Sequence, residues 1–374
     1  MTRYQLPDMT DLRRLGEPHG VAITVYVETS PGPDQRDNNI LTAKSAVDHA
    51  LRQIRARGVD RLAEQRLRDR WSEISESDLW LRLSRSLAIF IAEDFHEVYV
   101  LPNALLNQAQ VGAYFDIGQL VRAVTAAQEA YALTLSANGW NLWHATADAR
   151  AEEMSLIGDL PTDVADATNR ATVRDRDHVR RLVGDEGKKV LLETYAKRVA
   201  EVVESALGEV DPTAQKPLFL FASEPLLSLY RGLEGKHDVV AVPGAPDGLR
   251  PDQIDGAIRA ALPALNARRI NTLVDGIGDG VGRGLVATDL ADIGKAAVAG
   301  AVSTLVYDFT VDVIGRLNDA TGRITYGSGG YDLLSRIAIT VLDKGGEVVA
   351  VRPDEVTADI WSGTAVAALR FPLS

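Results

Sequence analysis

The residues best equipped for chemistry in this chain are arginines. Arg170, Arg174, Arg176, Arg180 and Arg181 fall in one short run, against two aspartates, Asp175 and Asp177. A guanidinium is planar, permanently charged and forked, which suits it to bidentate phosphate contacts. Lys188 adds a further positive charge at the end of the same polar stretch, residues 147–188. Loops of this length inside compact domains are uncommon and are usually functional or disordered. The chemistry implied is phosphate recognition. The alternation Arg174, Asp175, Arg176, Asp177 also permits a plainer reading, a solvated face with internal ion pairs.

Other chemistries lack their residues. The six histidines, His19, His49, His96, His144, His178 and His237, are scattered, and none forms a helical pair around a glutamate. There is no cysteine, so thiolate catalysis, disulfides and cysteine zinc sites are excluded. No Gly-x-Ser-x-Gly elbow is present for a hydrolase nucleophile. The glycines at 276–284 end in Arg283-Gly-Leu-Val, where a phosphate loop needs lysine and a hydroxyl. Gly327-Ser-Gly-Gly330 could form an anion nest but reads as a plain turn. The expectation is no catalytic residue, no metal ligand and no cofactor, and a protein that is more a binder than an enzyme.

The chain has 374 residues, 46% hydrophobic and 25% charged, which suits two or three soluble domains. Its net charge of −12 argues against a general coat for nucleic acid, but not against a local basic patch. No apolar run approaches membrane-spanning length and no signal core opens the chain. A reduced, cytoplasmic protein with no membrane contact is expected.

Alternating β and α patterns must position the arginines. Val21–Val27 reads as a strand, 39–70 as a charged helical region, and Leu87–Ala92 with His96–Leu101 as two strands. These make a first α/β domain, 1–117. Ala130–Ser136, Asn138-Gly139 and Trp140–Ala145 form the strongest hairpin signal in the chain. The polar stretch follows, then an amphipathic helix over Lys189–Leu207. Leu218–Ala222 and Asp238–Val242 are short buried strands around a helix, and Asp252–Leu262 is helical. Residues 118–265 thus read as a second α/β domain, and the glycine-bearing 266–285 as a connection. From 286 to 374 the order is helix, strand, strand, helix, strand, strand, a compact α/β sandwich. Thr288 is positioned to cap its first helix, 289–298.

This order of parts resembles the bacterial homologues of the archaeal and eukaryotic class-1 peptide chain release factor, a superfamily that includes the rescue factor Pelota. The residues that carry the resemblance are the hairpin Tyr131–Ala145, the long loop and the helix Val190–Val203. They continue with Ala296–Val306, Leu333–Ala338, Gly345–Val351 and the ending Ala367-Ala-Leu-Arg-Phe-Pro372. The resemblance implies a ribonuclease-H-like middle domain and a C-terminal three-layer sandwich like the kink-turn-binding ribosomal proteins. It implies a ribosome-associated release or rescue factor whose partners are the ribosome, tRNA or rRNA. In the true release factor the loop between hairpin and long helix carries Gly-Gly-Gln and enters the peptidyl transferase centre. Here that loop has no such triplet: Gly158 is followed by Asp159. Pelota also lacks it and works without hydrolysis. RNA-binding relatives of the C-terminal domain place Asn-Glu and lysine where this chain has Thr288-Asp289-Leu290-Ala291. Asp289 and Asp292 at a helix N-terminus repel phosphate, so that face is expected to meet protein. Two further readings remain: a stress-associated adaptor that binds protein partners through its outer domains, and an RNA-acting hydrolase, for which the middle strands carry no carboxylates.

Overall fold

The computed structural model describes residues 1–373 except 31–32, 104, 127, 147–149, 157–159, 168–184 and 328–329. The chain divides into two compact units, one of residues 1–126 with 264–374, the other of residues 127–263.

In the first region, strands β1 (Thr2–Arg3), β2 (Ala22–Glu28), β3 (Ser86–Ala92), β4 (His96–Leu101) and β5 (Gln108–Gly112) form one sheet in the order β1-β4-β3-β2-β5. Strict alternation sorts its side chains. Ile23, Val25 and Val27, with Leu87, Ile89 and Ile91, pack under helices α2 (Arg36–Ala56) and α3 (Arg61–Ser75). Tyr26, Ala88, Phe90 and Tyr99 face the other way, toward α1 (Met9–Leu15) and α4 (Gly118–Thr125). Helix α4, which the sequence pattern groups with the middle residues, belongs to this unit.

The middle unit holds β6 (Ala130–Ser136), β7 (Gly139–Ala145), β8 (Glu152–Glu153), α5 (Val164–Ala167), α6 (Asp185–Val210), β9 (Leu218–Ala222), α7 (Leu226–Arg231) and β10 (Val239–Pro243). Its sheet runs β10-β9-β6-β7-β8. The three strands β6, β7 and β8 are antiparallel neighbours, while β9 and β10 run parallel to β6. That order and direction is the ribonuclease-H-like arrangement. Helix α6 presents Leu192, Tyr195, Ala196, Val199, Val203 and Leu207 at i, i+3, i+4 spacing, all buried against the sheet.

Helix α8 (Pro251–Gly278) runs through Pro263, where the sequence reading stops it, and ends inside the segment 266–285 that reads as a connection. Its second half buries Ile270, Val274 and Ile277. The last region follows with β11 (Val286–Ala287), α9 (Leu290–Val298), β12 (Val302–Asp308), β13 (Ile314–Leu317), β14 (Ile324–Tyr326), β15 (Tyr331–Asp332), α10 (Leu333–Asp343), β16 (Glu347–Val351) and β17 (Ala365–Leu369). A four-stranded sheet, β11-β17-β12-β16, is the centre of three layers. Leu305, Tyr307, Val348, Ala350, Ala365 and Ala367 face α9 and α10, and Val306, Val351 and Val366 face α8. The core under α9 and α10 is shared with the first region, since Leu12, Leu15, Phe90 and Tyr99 belong to the same cluster as Ile337 and Leu342. The helix cap is corrected by one position. Asp289, not Thr288, caps α9, its carboxylate accepting the N–H of Ala291 at 2.8 Å. An aspartate satisfies those amides and adds charge that favours the dipole.

Candidate RNA-binding loop and its root

The candidate site is the excursion between β7 and α6. Arg170, Arg174, Arg176, Arg180 and Arg181 lie outside the described residues, and Lys188 lies in the first turns of α6 with its side chain undescribed. What the structure describes is how the excursion begins and returns.

The described parts of the stretch that reads as polar loop have structure of their own. β8 pairs antiparallel with Trp143 and His144 of β7. Met154, Leu156 and Val164 pack against the core of the middle unit. The Trp140 indole donates to the Pro161 carbonyl at 2.6 Å, and the Val164 N–H reaches the Ala137 carbonyl at 3.4 Å. Residues 160–167 thus lie over the hairpin turn. The sequence carries a signal for this, three apolar side chains spaced through an otherwise polar run. Three residues over eleven positions make no periodic stripe, so pattern reading passes over them.

The root is held by two side chains of α8 that no motif marks. The Arg259 guanidinium donates to the Gln128 carbonyl at 2.7 Å and also to the Thr146 carbonyl. These carbonyls flank the open end of the hairpin, where Ala130 pairs with Ala145. Asp255, one turn earlier on the same face, accepts the Ala151 N–H at 3.1 Å and lies 3.3 Å from Arg259. Both side chains are mostly buried, at 19% and 17% exposure. Hydrogen bonds to a charged partner contribute about 1.5–3 kcal/mol each.

A second polar group sits at the same end of the sheet. His237 is buried with its ring nitrogens 3.6 Å from Glu204 and from Asp211. Its ring meets Tyr131 edge-on at 6.0 Å, and His144 stacks on Tyr131 at 4.9 Å. Lys216 stands over the Tyr131 ring and pairs with Glu129 at 2.5 Å. Burial lowers the pKa of His144. Burial opposes the charge on Lys216, but its hydrogen bond to Glu129 brings the net pKa above the ordinary lysine value. Among the described residues no group of His, Cys, Asp or Glu could hold a metal ion. The middle strands β9 and β10 carry no carboxylate. Among the described residues no helix is long and apolar enough to cross a membrane.

Residues 127–268 match the model of bacterial archaeo-eukaryotic release factor family 11. Over those residues the chain is similar to the bacterial archaeo-eukaryotic release factors. No curated protein matches it significantly by sequence. Among solved structures it is similar to Pelota of Archaeoglobus fulgidus, at 13% identity over 100% of this chain and 95% of that one, TM-score 0.34. It is similar to Dom34 of S. cerevisiae, a translation termination-like factor, at 11% identity over 98% and 94%, TM-score 0.40. It is similar to the archaeal translation termination factor aRF1 at 14% identity over 97% and 96%, TM-score 0.23. The fold of the middle unit rests on its own sheet order.

Proposed function

We propose that this chain is a ribosome-associated factor of the release or rescue type. It binds rRNA or tRNA phosphates through Arg170, Arg174, Arg176, Arg180, Arg181 and Lys188, and works without Gly-Gly-Gln hydrolysis. The observation that carries this reading is the family match over residues 127–268, the domain whose hairpin and helix α6 bracket the arginine run. The absence of Gly-Gly-Gln from the sequence 147–188 removes the amide that release chemistry requires. On a body of net charge −12, phosphate is repelled elsewhere, so contact concentrates at the local basic run.

Co-sedimentation with empty and stalled ribosomes over a salt series tests it. Affinity should fall linearly on a log–log salt plot, because each neutralised phosphate releases counterions. Replacing the five arginines with alanine should weaken binding and flatten that slope. The change is roughly 0.9 for each duplex phosphate that is no longer neutralised, or roughly 0.7 for each single-stranded one. A chain that stays in the supernatant at low salt with both ribosome preparations would sink the reading.

One observation favours a second reading, a protein-binding adaptor. The N-terminus of α9 is closed by its own Asp289 and carries Asp292, so it offers nothing to RNA. A pull-down that recovers a defined protein complex without RNA would prefer it.

A further inference from the structure

We propose that a cavity within the first unit binds a small organic cation, an alkylammonium or guanidinium compound. The cavity is lined by residues of 1–126 and 264–374 and encloses about 450 Å³, the size of a small-molecule site. Its lining fixes the sign of the ligand. Asp116, Asp312 and Asp332 share it with two guanidiniums, Arg57 and Arg336. Asp319, which is not part of the lining, neutralises Arg336 at 2.9 Å. Arg57 donates to the neutral Val111 carbonyl at 2.9 Å. Three carboxylates thus stand against the charge of Arg57, and the cavity is left negative. Tyr307 of β12 stands beside the same acids. It is fully buried, and its hydroxyl makes no hydrogen bond among the described residues. Burial first, then the charges of Asp116 and Asp332, raise its pKa. An entering ammonium or guanidinium supplies N–H donors to this group of oxygens.

The wall fixes the kind of cation. Tyr114 and Tyr331 both line the cavity and meet edge-on, their centroids 4.7 Å apart. The Arg336 guanidinium already lies over the Tyr114 ring at 4.9 Å. Ring faces attract cations, more strongly where water is excluded. A bare metal ion is poorly matched, because among the described residues no three His, Cys, Asp or Glu side chains could hold one. The carboxylates are graded from mouth to floor: Asp312 is exposed, Asp332 half-buried and Asp116 buried. Asp312 meets the Gln110 amide at a long 3.4 Å, so it is the carboxylate that touches the ligand. Asp332 is engaged in capping α10, where it accepts the Ser335 N–H at 2.8 Å. Asp116 accepts the Gly118 N–H and the Ser335 hydroxyl, so these two act through their field. Asp116 also faces Tyr26 from β2, Tyr307 from β12, and Asp312 and Asp332 from the last region. Its carboxyl is pushed up to about 7, chiefly by burial. A cation favours the ionised form, so binding releases a proton and affinity rises with pH through that value.

Titration calorimetry of the full chain at low salt tests it, with putrescine and methylguanidinium as probes at pH 6 and pH 8. The expected result is one saturable site for at least one probe, about fivefold tighter at pH 8. Two variants locate it. Asp312→Asn removes the touching charge and should weaken binding about tenfold at pH 8. Ile314→Arg places a tethered guanidinium in the lining and should abolish binding. Both residues are exposed, so both variants should keep the urea midpoint of the wild type. The absence of saturable binding by either probe overturns the proposal. Equal affinity in the wild type and Asp312→Asn overturns it too, because the cation then sits elsewhere on an acidic surface. So does equal affinity at the two pH values, which removes Asp116 from the site. Magnesium that competes as well as the organic probe would show a simple ion atmosphere and also overturn it.

Discussion

Asp116 is a side chain whose charge the fold controls. It is buried, and its carboxyl is pushed up to about 7, first by burial and then by the nearby charge of Asp332. The Gly118 N–H and the Ser335 hydroxyl, at 2.9 and 3.1 Å, only partly offset this. Asp312 and Asp332 line the same cavity of about 450 Å³, and burial raises both. The arginines there point to other partners, Arg336 to Asp319 and Tyr114, and Arg57 to the Val111 carbonyl. Between the ordinary aspartate value and about 7, the folded protein keeps a proton that the unfolded chain has lost. Stability is therefore full below that window and falls as pH rises through it, by about 1.4 kcal/mol for each pH unit. Urea unfolding at pH 5 and pH 8 should show the wild type weaker at pH 8 and Asp116→Asn with a smaller difference, the part left to Asp312 and Asp332. An equal pH slope in both proteins would count against this assignment. No sequence pattern announces Asp116, because Ser335, its partner, is 219 positions away. The arginines of the loop were legible because charge density is local. Arg259 was not, because its role lies in two backbone carbonyls more than a hundred positions distant.

At the scale of elements, turn and cap chemistry was the most legible. Asn138-Gly139 marks a hairpin that pairs through Ser136 and Gly139. Helices α9 and α10 end alike: Gly300 and Gly345 are left-handed, at φ 70° and 73°. Ala301 N–H bonds the Ala296 carbonyl, and Gly346 N–H bonds the Val341 carbonyl. Arg370 then donates to the carbonyls of Gly300, Lys344 and Gly345, tying both helix ends together. Gly345→Ala should cost about 1–2 kcal/mol in urea unfolding, purely from the backbone conformation, since a Cβ there meets nothing within 4 Å. A neutral substitution would show that the turn relaxes freely. Pro263 misled, because proline in a helix interior forfeits a hydrogen bond and crowds the carbonyl four residues back. Here that carbonyl belongs to Arg259. Burial of Ile270, Val274 and Ile277 beyond the proline outweighs one missing bond and carries the helix on.

For the whole molecule, the sequence order of α/β blocks was readable but the sharing of a core was not. Pairing of the first and last regions depends on packing between segments hundreds of residues apart, which one sequence does not display. The middle unit buries a core made only of its own residues, from Tyr131 to Tyr230. A fragment of residues 127–263 should therefore unfold cooperatively by itself, with sigmoidal thermal melting. A fragment of residues 1–126 should not, because it keeps α1 and α4 but leaves Leu12, Leu15, Phe90 and Tyr99 without Ile337, Ile339 and Leu342 of α10, which share their cluster. A sharp, reversible melt of the shorter fragment would contradict that. This shared core also sets a timetable. Synthesis proceeds at roughly 5–20 residues per second, so once residue 126 has been made, the remaining residues take some tens of seconds to follow. During that interval the first sheet has one finished face and one covered only by α1 and α4, while the middle unit can fold. The newborn chain thus depends on a holding partner, or on aggregation being slower than synthesis, until its final strand arrives.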